Sequence, residues 1–466
     1  MHLLTSVPVP YPSWLNAGDN TWQLVAATLV GLMSLPGLAA LYASVVPKKW
    51  AVNVLAMAFA GFSLVLIAWV LWEYKMGFGA NSVGGGVVNG VQQQLSGVGW
   101  VTHFFDNFVG KPGSIVSAAS EQGKALSAAN TAIPFHFPTG TLAYFQFVFA
   151  AIAPLLFMGS VLGRIKFAAW CLLVPLWSTF VYGVDAFLLW GGGYFAQVGA
   201  LDYSGGYVIH MSAGVSGFVA AWMLGPRLAR DRAHWQPNNL VMAAGLLVWM
   251  GMDAALTKAR KPTFLGTING MVCGLVGITP CAGWVDGLGA ILVGAICSLV
   301  VWFAWNHLSR VRPFSKVDDT LGVVYTHGIA GLAGGLLLGF LGNPAMIEYG
   351  CSGPRYAAAS THCTPFSVSG LLYTGSWHQE WAQLQAALFV IAWSALVTFV
   401  LLKVIGWILR GLRYSDQLLE IGDFAIHGEE AFPAESLAMW TNRGAQVHEP
   451  VPATRREPAA LDEGGR

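Results

Sequence analysis

Charge is scarce in this sequence: of 466 residues only 10% are Asp, Glu, Lys or Arg, where a soluble domain carries about 25%. That is too little to coat a water-facing surface. A net charge of +1 with His neutral supplies no polybasic face, which argues against nucleic acid as a partner. Met1 to Pro12 lack the basic segment and short apolar run of a cleavable signal peptide, so the first long span is expected to act as the insertion signal. Cysteine is sparse too. Cys171, Cys273, Cys281 and Cys297 lie in or beside apolar runs and read as small packing residues. Cys351 and Cys363 share one polar loop with Gly, Pro, Ser and Thr, and a disulfide between them depends on that loop facing an oxidising compartment.

What the sequence has instead is apolar length. Hydrophobic residues make up 55% of it, and runs of roughly 20 recur, each long enough at about 1.5 Å per residue to cross a hydrocarbon core of about 30 Å. An all-α polytopic membrane protein follows, with spans expected near 20–44, 51–75, 141–163, 166–190, 207–225, 238–257, 264–282, 285–308, 321–342 and 379–410. Many of the 56 glycines sit at small-residue spacing, as in Gly328-Ile-Ala-Gly331 and Gly331-Leu-Ala-Gly-Gly335, which suits close helix contact in lipid.

Basic residues cluster at Lys48 and Lys49, Arg164 and Lys166, Arg227 to Arg232, Lys258 to Lys261, Arg310 to Lys316, and Lys403 to Arg413. The positive-inside rule puts these loops in the cytoplasm, the N-terminus outside and the C-terminus inside. Segment 238–257 breaks the alternation. Basic groups on both of its flanks want the same side, so parity demands two crossings where about 20 residues provide one crossing or a re-entrant hairpin. The segment 77–140, rich in Gly, Ser, Asn and Gln, reads as an external loop.

Ionisable groups inside spans are costly and therefore point to function. His210 and His327 are the two histidines deep in long apolar runs, and Asp202 opens the Gly-rich stretch Asp202-Tyr-Ser-Gly-Gly-Tyr-Val-Ile-His210. Taken singly, each imidazole is read as a hydrogen-bonded core group; as a pair they read as a proton relay for a polar solute in an apolar pore. No Cys or carboxylate with ligand spacing accompanies them, so neither metal nor cofactor is expected. Trp190-Gly-Gly-Gly193 reads as an interfacial aromatic or as a cation site, since an indole face attracts a small cation by about 0.5–2 kcal/mol. Phe145 and Phe149 are placed to occlude a pore, or simply to pack.

With these motifs the chain resembles the Amt/Mep/Rh ammonium transporter family, in its Mep-like branch that includes the second plant type. The resemblance runs from Trp14-Leu-Asn-Ala-Gly-Asp-Asn-Thr-Trp22 through Tyr42-Ala-Ser-Val-Val-Pro-Lys-Lys-Trp50, Trp190-Gly-Gly-Gly, Asp202 to His210, Gly274-Leu-Val-Gly-Ile-Thr-Pro280, Val317-Asp-Asp-Thr-Leu-Gly and Thr326-His-Gly to Ile421-Gly-Asp-Phe-Ala-Ile-His-Gly-Glu-Glu430. It implies a transporter or channel for ammonium, with methylammonium as analogue, and not an enzyme. It further implies a homotrimer in the cell membrane, eleven helices in an inverted repeat of five and five, and a tail that touches the neighbouring subunit. His210 and His327 become the twin pore histidines; Trp190 and Phe149, with Phe145 nearby, line the recruitment site and gate; Asp202 supports that site.

Residues 1–410 are then the membrane domain and 411–466 a cytoplasmic tail. Ser415 to Glu430 is expected to meet the neighbouring subunit and a PII-type signalling protein, and Gln446 to Arg466 reads as disordered. The chain departs from the family in the region 238–262, where about one helix is missing. The second gating Phe and the Ser of the outer site have no clear counterparts, and Met252 is left unassigned. The shortened middle also leaves open an ammonium sensor that binds without conducting, or a truncated form that folds poorly.

Overall fold

The computed structural model describes residues 15–78, 87–88, 91–92, 107–116, 136–233, 264–346, 348–349 and 366–431. Eight helices there are long and apolar enough to cross a membrane: α1 (Ala17–Val45), α2 (Lys48–Phe78), α3 (Thr139–Val161), α4 (Phe167–Gln197), α5 (Gly206–Leu224), α7 (Gly287–Arg310), α8 (Val324–Leu341) and α9 (His378–Ile408). A shorter apolar helix, α6 (Phe264–Ile278), precedes α7. These match nine of the ten expected spans. The tenth, 238–257, lies outside the described residues, as do Met252, Lys258 to Lys261, Cys351, Cys363, most of 77–140 and the tail beyond residue 431.

Local chemistry sets the helix ends. The Asn16 side chain accepts from the Gly18 and Asp19 amides at the start of α1 (2.8 and 3.1 Å), and Asp286 accepts from Gly289 N at the start of α7 (2.8 Å). The run expected to span 264–282 stops as helix at Ile278, because Pro280 disfavours helical backbone at Thr279 and offers no N–H of its own. The β-structure among the described residues includes two short antiparallel ladders, Val87–Val88 with Val91–Gln92 and Glu348–Tyr349 with Phe366–Ser367, and a bridge between Ile165 and Arg413.

The centre of the bundle is α3, in which every residue from Ala150 to Val161 is buried. Around it, Trp69, Trp170 and Trp177 are enclosed but not orphaned. Their indole nitrogens donate to Ala143 O, Met57 O and Ser216 Oγ at 2.8–2.9 Å, as buried tryptophans require. Leu29, Leu32, Ile291 and Trp407 remain exposed, which fits surfaces turned to lipid or to another subunit.

The basic loops gather at one end. Arg164, fully buried, donates to Ser160 O (2.9 Å), Asp318 O (2.5 Å) and Thr320 Oγ1 (2.7 Å). Arg227 grips the Asp318 carboxylate with two guanidinium nitrogens, at 2.8 and 3.0 Å. Burial lowers the Arg164 pKa to about 10, against the pull of Asp318. At the same end the chain leaves α5 through Arg227 to Arg232 and re-enters as α6 at Phe264, where Ile268 packs with Val45 and Leu321. Both flanks of the shortened region therefore sit on one side.

The tail also docks here, on its own chain. Beyond α9, the short helices α10 (Asp416–Ile421) and α11 (Asp423–His427) reach the start of α2. Asp423 accepts the Val52 and Asn53 amides (2.7 and 2.9 Å), capping the helix that those amides begin. Lys49 Nζ donates to Leu419 O (2.8 Å) and pairs with Asp231 at 3.0 Å.

Candidate functional site

His210 and His327 meet. Their ring centroids are 5.4 Å apart and tilted by 42°, although 117 residues separate them. Glycine makes the approach feasible: a Cβ on Gly214 would overlap the backbone of Gly328, so α5 and α8 cross in main-chain contact just beside the two rings. Both imidazoles are only half-buried despite lying deep in spans. His327 lines a cavity of about 400 Å³ that opens toward the basic end.

No hydrogen bond joins the two rings, and His210 Nδ1 has no partner among the described residues. His327 Nδ1 lies 2.8 Å from Thr326 Oγ1, which is also 3.2 Å from Gly322 O. The hydroxyl has one proton. If it goes to Gly322 O, the imidazole carries its own proton on Nδ1 and turns a bare Nε2 elsewhere; if it goes to Nδ1, Nε2 is protonated. Thr326 is thus coupled to the His327 tautomer.

Each histidine sits in a π-helical turn, His210 in Gly206–Met211 and His327 in Val324–Ile329, a geometry frequent at functional sites. Each turn is capped by an aspartate eight residues before its histidine. Asp202 accepts the amides of Gly205, Gly206, Tyr207 and Val208 at 2.6–3.0 Å. Burial raises its carboxyl pKa and the four amides oppose that rise. Asp319 accepts the Val324 amide at 2.8 Å, while its Oδ1 has no partner among the described residues. The sequence reading named Asp202 and missed Asp319, although the equal spacing was there to be read.

At the end away from the basic loops, Trp190 Nε1 donates to the Asp202 carbonyl at 2.5 Å. One face of the half-buried indole stacks on Phe78, with centroids 6.0 Å apart and planes 22° off parallel. Phe78 had no signal in the sequence as a partner of Trp190. Phe145 and Phe149 are half-buried and in contact, 5.0 Å apart. Among the described residues they make no ring contact with Trp190. Two further carboxyls lie wholly buried inside spans and were passed over: Glu73, bonded to Ser178 Oγ at 2.6 Å, and Asp185, neither of whose oxygens has a hydrogen-bond partner among the described residues. A carboxylate within an apolar run was the signal for both.

The family model described as Ammonium Transporter Family matches residues 21–243 and 233–432, two segments that overlap at the shortened region. The chain is similar to ammonium transporter 3 member 2 of Oryza sativa subsp. japonica, 39% identical over 94% of each chain. It is 40% identical to ammonium transporter 2 of Arabidopsis thaliana over 92% of this chain and 90% of that one. Among solved structures its fold resembles Mep2 of Saccharomyces cerevisiae, with a TM-score of 0.66, 23% identity and coverage of 87% of this chain and 89% of that one. It also resembles a protein titled a sensor Amt protein, with a TM-score of 0.64, 16% identity and coverage of 87% and 97%. The residues that meet in space are thus those through which the sequence resembled this group of proteins, and the chain, a multi-pass membrane protein, belongs to the ammonium transporter family.

Proposed function

We propose that the chain conducts ammonium across the cell membrane by recruiting the cation at Trp190, removing its proton, and passing neutral ammonia along His210 and His327. The observation that carries this reading is the approach of the two imidazoles to 5.4 Å inside a largely apolar bundle. The half-exposed indole, backed by Phe78, offers one face to a small cation, worth about 0.5–2 kcal/mol, and Asp202 adds a negative field close by. Phe145 and Phe149 form the gate. An unpaired ammonium costs far more to bury than its neutral form, so it sheds a proton to enter; potassium has none to shed and is excluded. Proton and ammonia rejoin at the basic end.

In this reading the N-terminus is outside and the C-terminus inside, with 1–410 as the membrane domain and 411–466 as the cytoplasmic tail. The working unit is a homotrimer, and Ser415 to Glu430 is the surface for the neighbouring subunit and a PII-type regulator. The decisive test is methylammonium or ammonium current in liposomes carrying the purified chain. Current should vanish in the variant carrying both His210→Ala and His327→Ala, and unchanged current in that variant would remove the relay.

A sensor that binds without conducting is the second reading. It is favoured by the return of the chain to the same end between Arg232 and Phe264, in a segment too short for two full crossings. Methylammonium binding without flux would establish it.

A further inference from the structure

Beneath the stacked rings of Phe78 and Trp190 lies a group of buried polar side chains that the conduction reading does not use. Five residues before each ring stands a carboxyl, Glu73 on α2 and Asp185 on α4, and both are fully enclosed. Ionisable groups so placed inside spans point to function. The two helices are joined at this depth. Trp72 Nε1 donates to Thr179 Oγ1 at 3.0 Å and Ser178 Oγ to Glu73 Oε1 at 2.6 Å, and a Cβ on Gly183 would stand 3.4 Å from Glu73 Cγ.

Hydrogen-bond donors are shared out unevenly here. Asp202, within electrostatic reach of Asp185, holds four amides. Asp185 has no donor on either oxygen, and Glu73 has one hydroxyl on Oε1 and none on Oε2, among the described residues. No Lys, Arg or His pairs with any of the three among the described residues. Two hydroxyls share the setting. Ser394 Oγ on α9 lies beside Asp185 outside hydrogen-bond geometry, and Tyr182 Oη lies in the fields of Glu73 and Asp202. Both are buried and without a partner among the described residues.

Two neighbouring carboxyls in a dry interior do not both ionise at small cost, and the one with more donors keeps the charge. Four amides assign it to Asp202. A carboxylate with neither donor nor cation is the costliest form that Asp185 could take, whereas a hydrogen turns it into a donor, and the Ser394 oxygen is an acceptor that lacks one. The same holds for the free oxygen of Glu73 near Tyr182.

We infer that Glu73 and Asp185 form a proton-binding pair: at neutral pH each carries a hydrogen, with Ser394 Oγ as the acceptor for Asp185, and Asp202 alone keeps a negative charge beneath Trp190. The ligand is the proton itself, and neither carboxyl needs to touch a transported cation. The pair stands whether or not the chain conducts.

The test is infrared spectroscopy of the purified full chain in lipid at neutral pH, read at the C=O stretch of protonated carboxyls, which lies apart from the carboxylate and amide bands. Asp185→Asn and Glu73→Gln should each remove part of that absorption, and the double variant should remove both parts. Ser394→Ala should shift the Asp185 component, because it deletes the acceptor. Asn and Gln imitate the neutral acids in shape and charge, so both variants should melt at the wild-type temperature. Absorption unchanged in either variant, or a marked fall in melting temperature in either, overturns the pair. An Asp185 component unmoved by Ser394→Ala overturns the assigned acceptor.

Discussion

Gly214 on α5 packs against the main chain of Gly328 on α8, with no room for a single methyl group between them. Because His327 precedes Gly328 directly and His210 lies one turn before Gly214, that contact sets the spacing of the imidazoles. Gly214→Ala should push the helices apart, cost about 1–3 kcal/mol of stability and depress methylammonium flux. Gly294→Ala on α7, where a Cβ meets nothing within 4 Å, is the matched control. Equal thermal stability and flux in the two variants would count against the contact as the determinant of the spacing.

Thr326→Val keeps the shape of the side chain and deletes the hydroxyl held between His327 Nδ1 and Gly322 O. A net hydrogen bond of about 1 kcal/mol is at stake, so folding should change little. Flux should fall by about fivefold as the imidazole loses its preferred tautomer. Flux measured alongside thermal unfolding separates the two effects: a variant as active as wild type would make Thr326 a packing residue only.

Arg164 donates to three carbonyls and a hydroxyl from a fully buried position. Arg164→Met should leave those acceptors without donors and Asp318 and Asp319 less balanced, a loss of about 2–4 kcal/mol. The effect should show as a lower melting temperature of the purified protein in detergent.

Tail docking should depend on pH through Asp423, whose carboxyl burial pushes up from 3.8 to about 6, against the opposing pull of the Asn53 and Val52 amides. The docked state therefore binds more protons than the free tail between those values. Docking is strongest below pH 3.8, weakens as pH rises toward about 6, and is level above it. Hydrogen exchange at the Val52 and Asn53 amides should accelerate across that window in wild type. In Asp423→Asn it should not change with pH beyond the intrinsic rate.

Much of this architecture was legible in advance, because a span must be apolar for its whole length and two imidazoles deep in such runs stand out against it. Nine spans and the histidine pair follow from that alone. The partner of Trp190 did not, since Phe78 lies 112 residues upstream and no local periodicity links the two rings. Asp319 was hidden by its place beside Asp318, where two acids at the end of a loop look like solvated charge. Glu73 and Asp185 carried the same signal as the histidines, a single ionisable group within an apolar run, and were not singled out by it. Docking of Asp423 on the start of α2 was equally out of reach: a capping aspartate 370 residues from the amides it caps leaves no pattern in the sequence.

An imidazole pair with no bond of its own is an open circuit. If the two rings form the proposed relay, their separation of 5.4 Å with no hydrogen bond between them would leave a proton from outside without a direct ring-to-ring path, and an idle protein would spare the voltage that a cell maintains. Under the proposed relay, a solute lodged between the rings would complete the connection, and charge would move only with cargo.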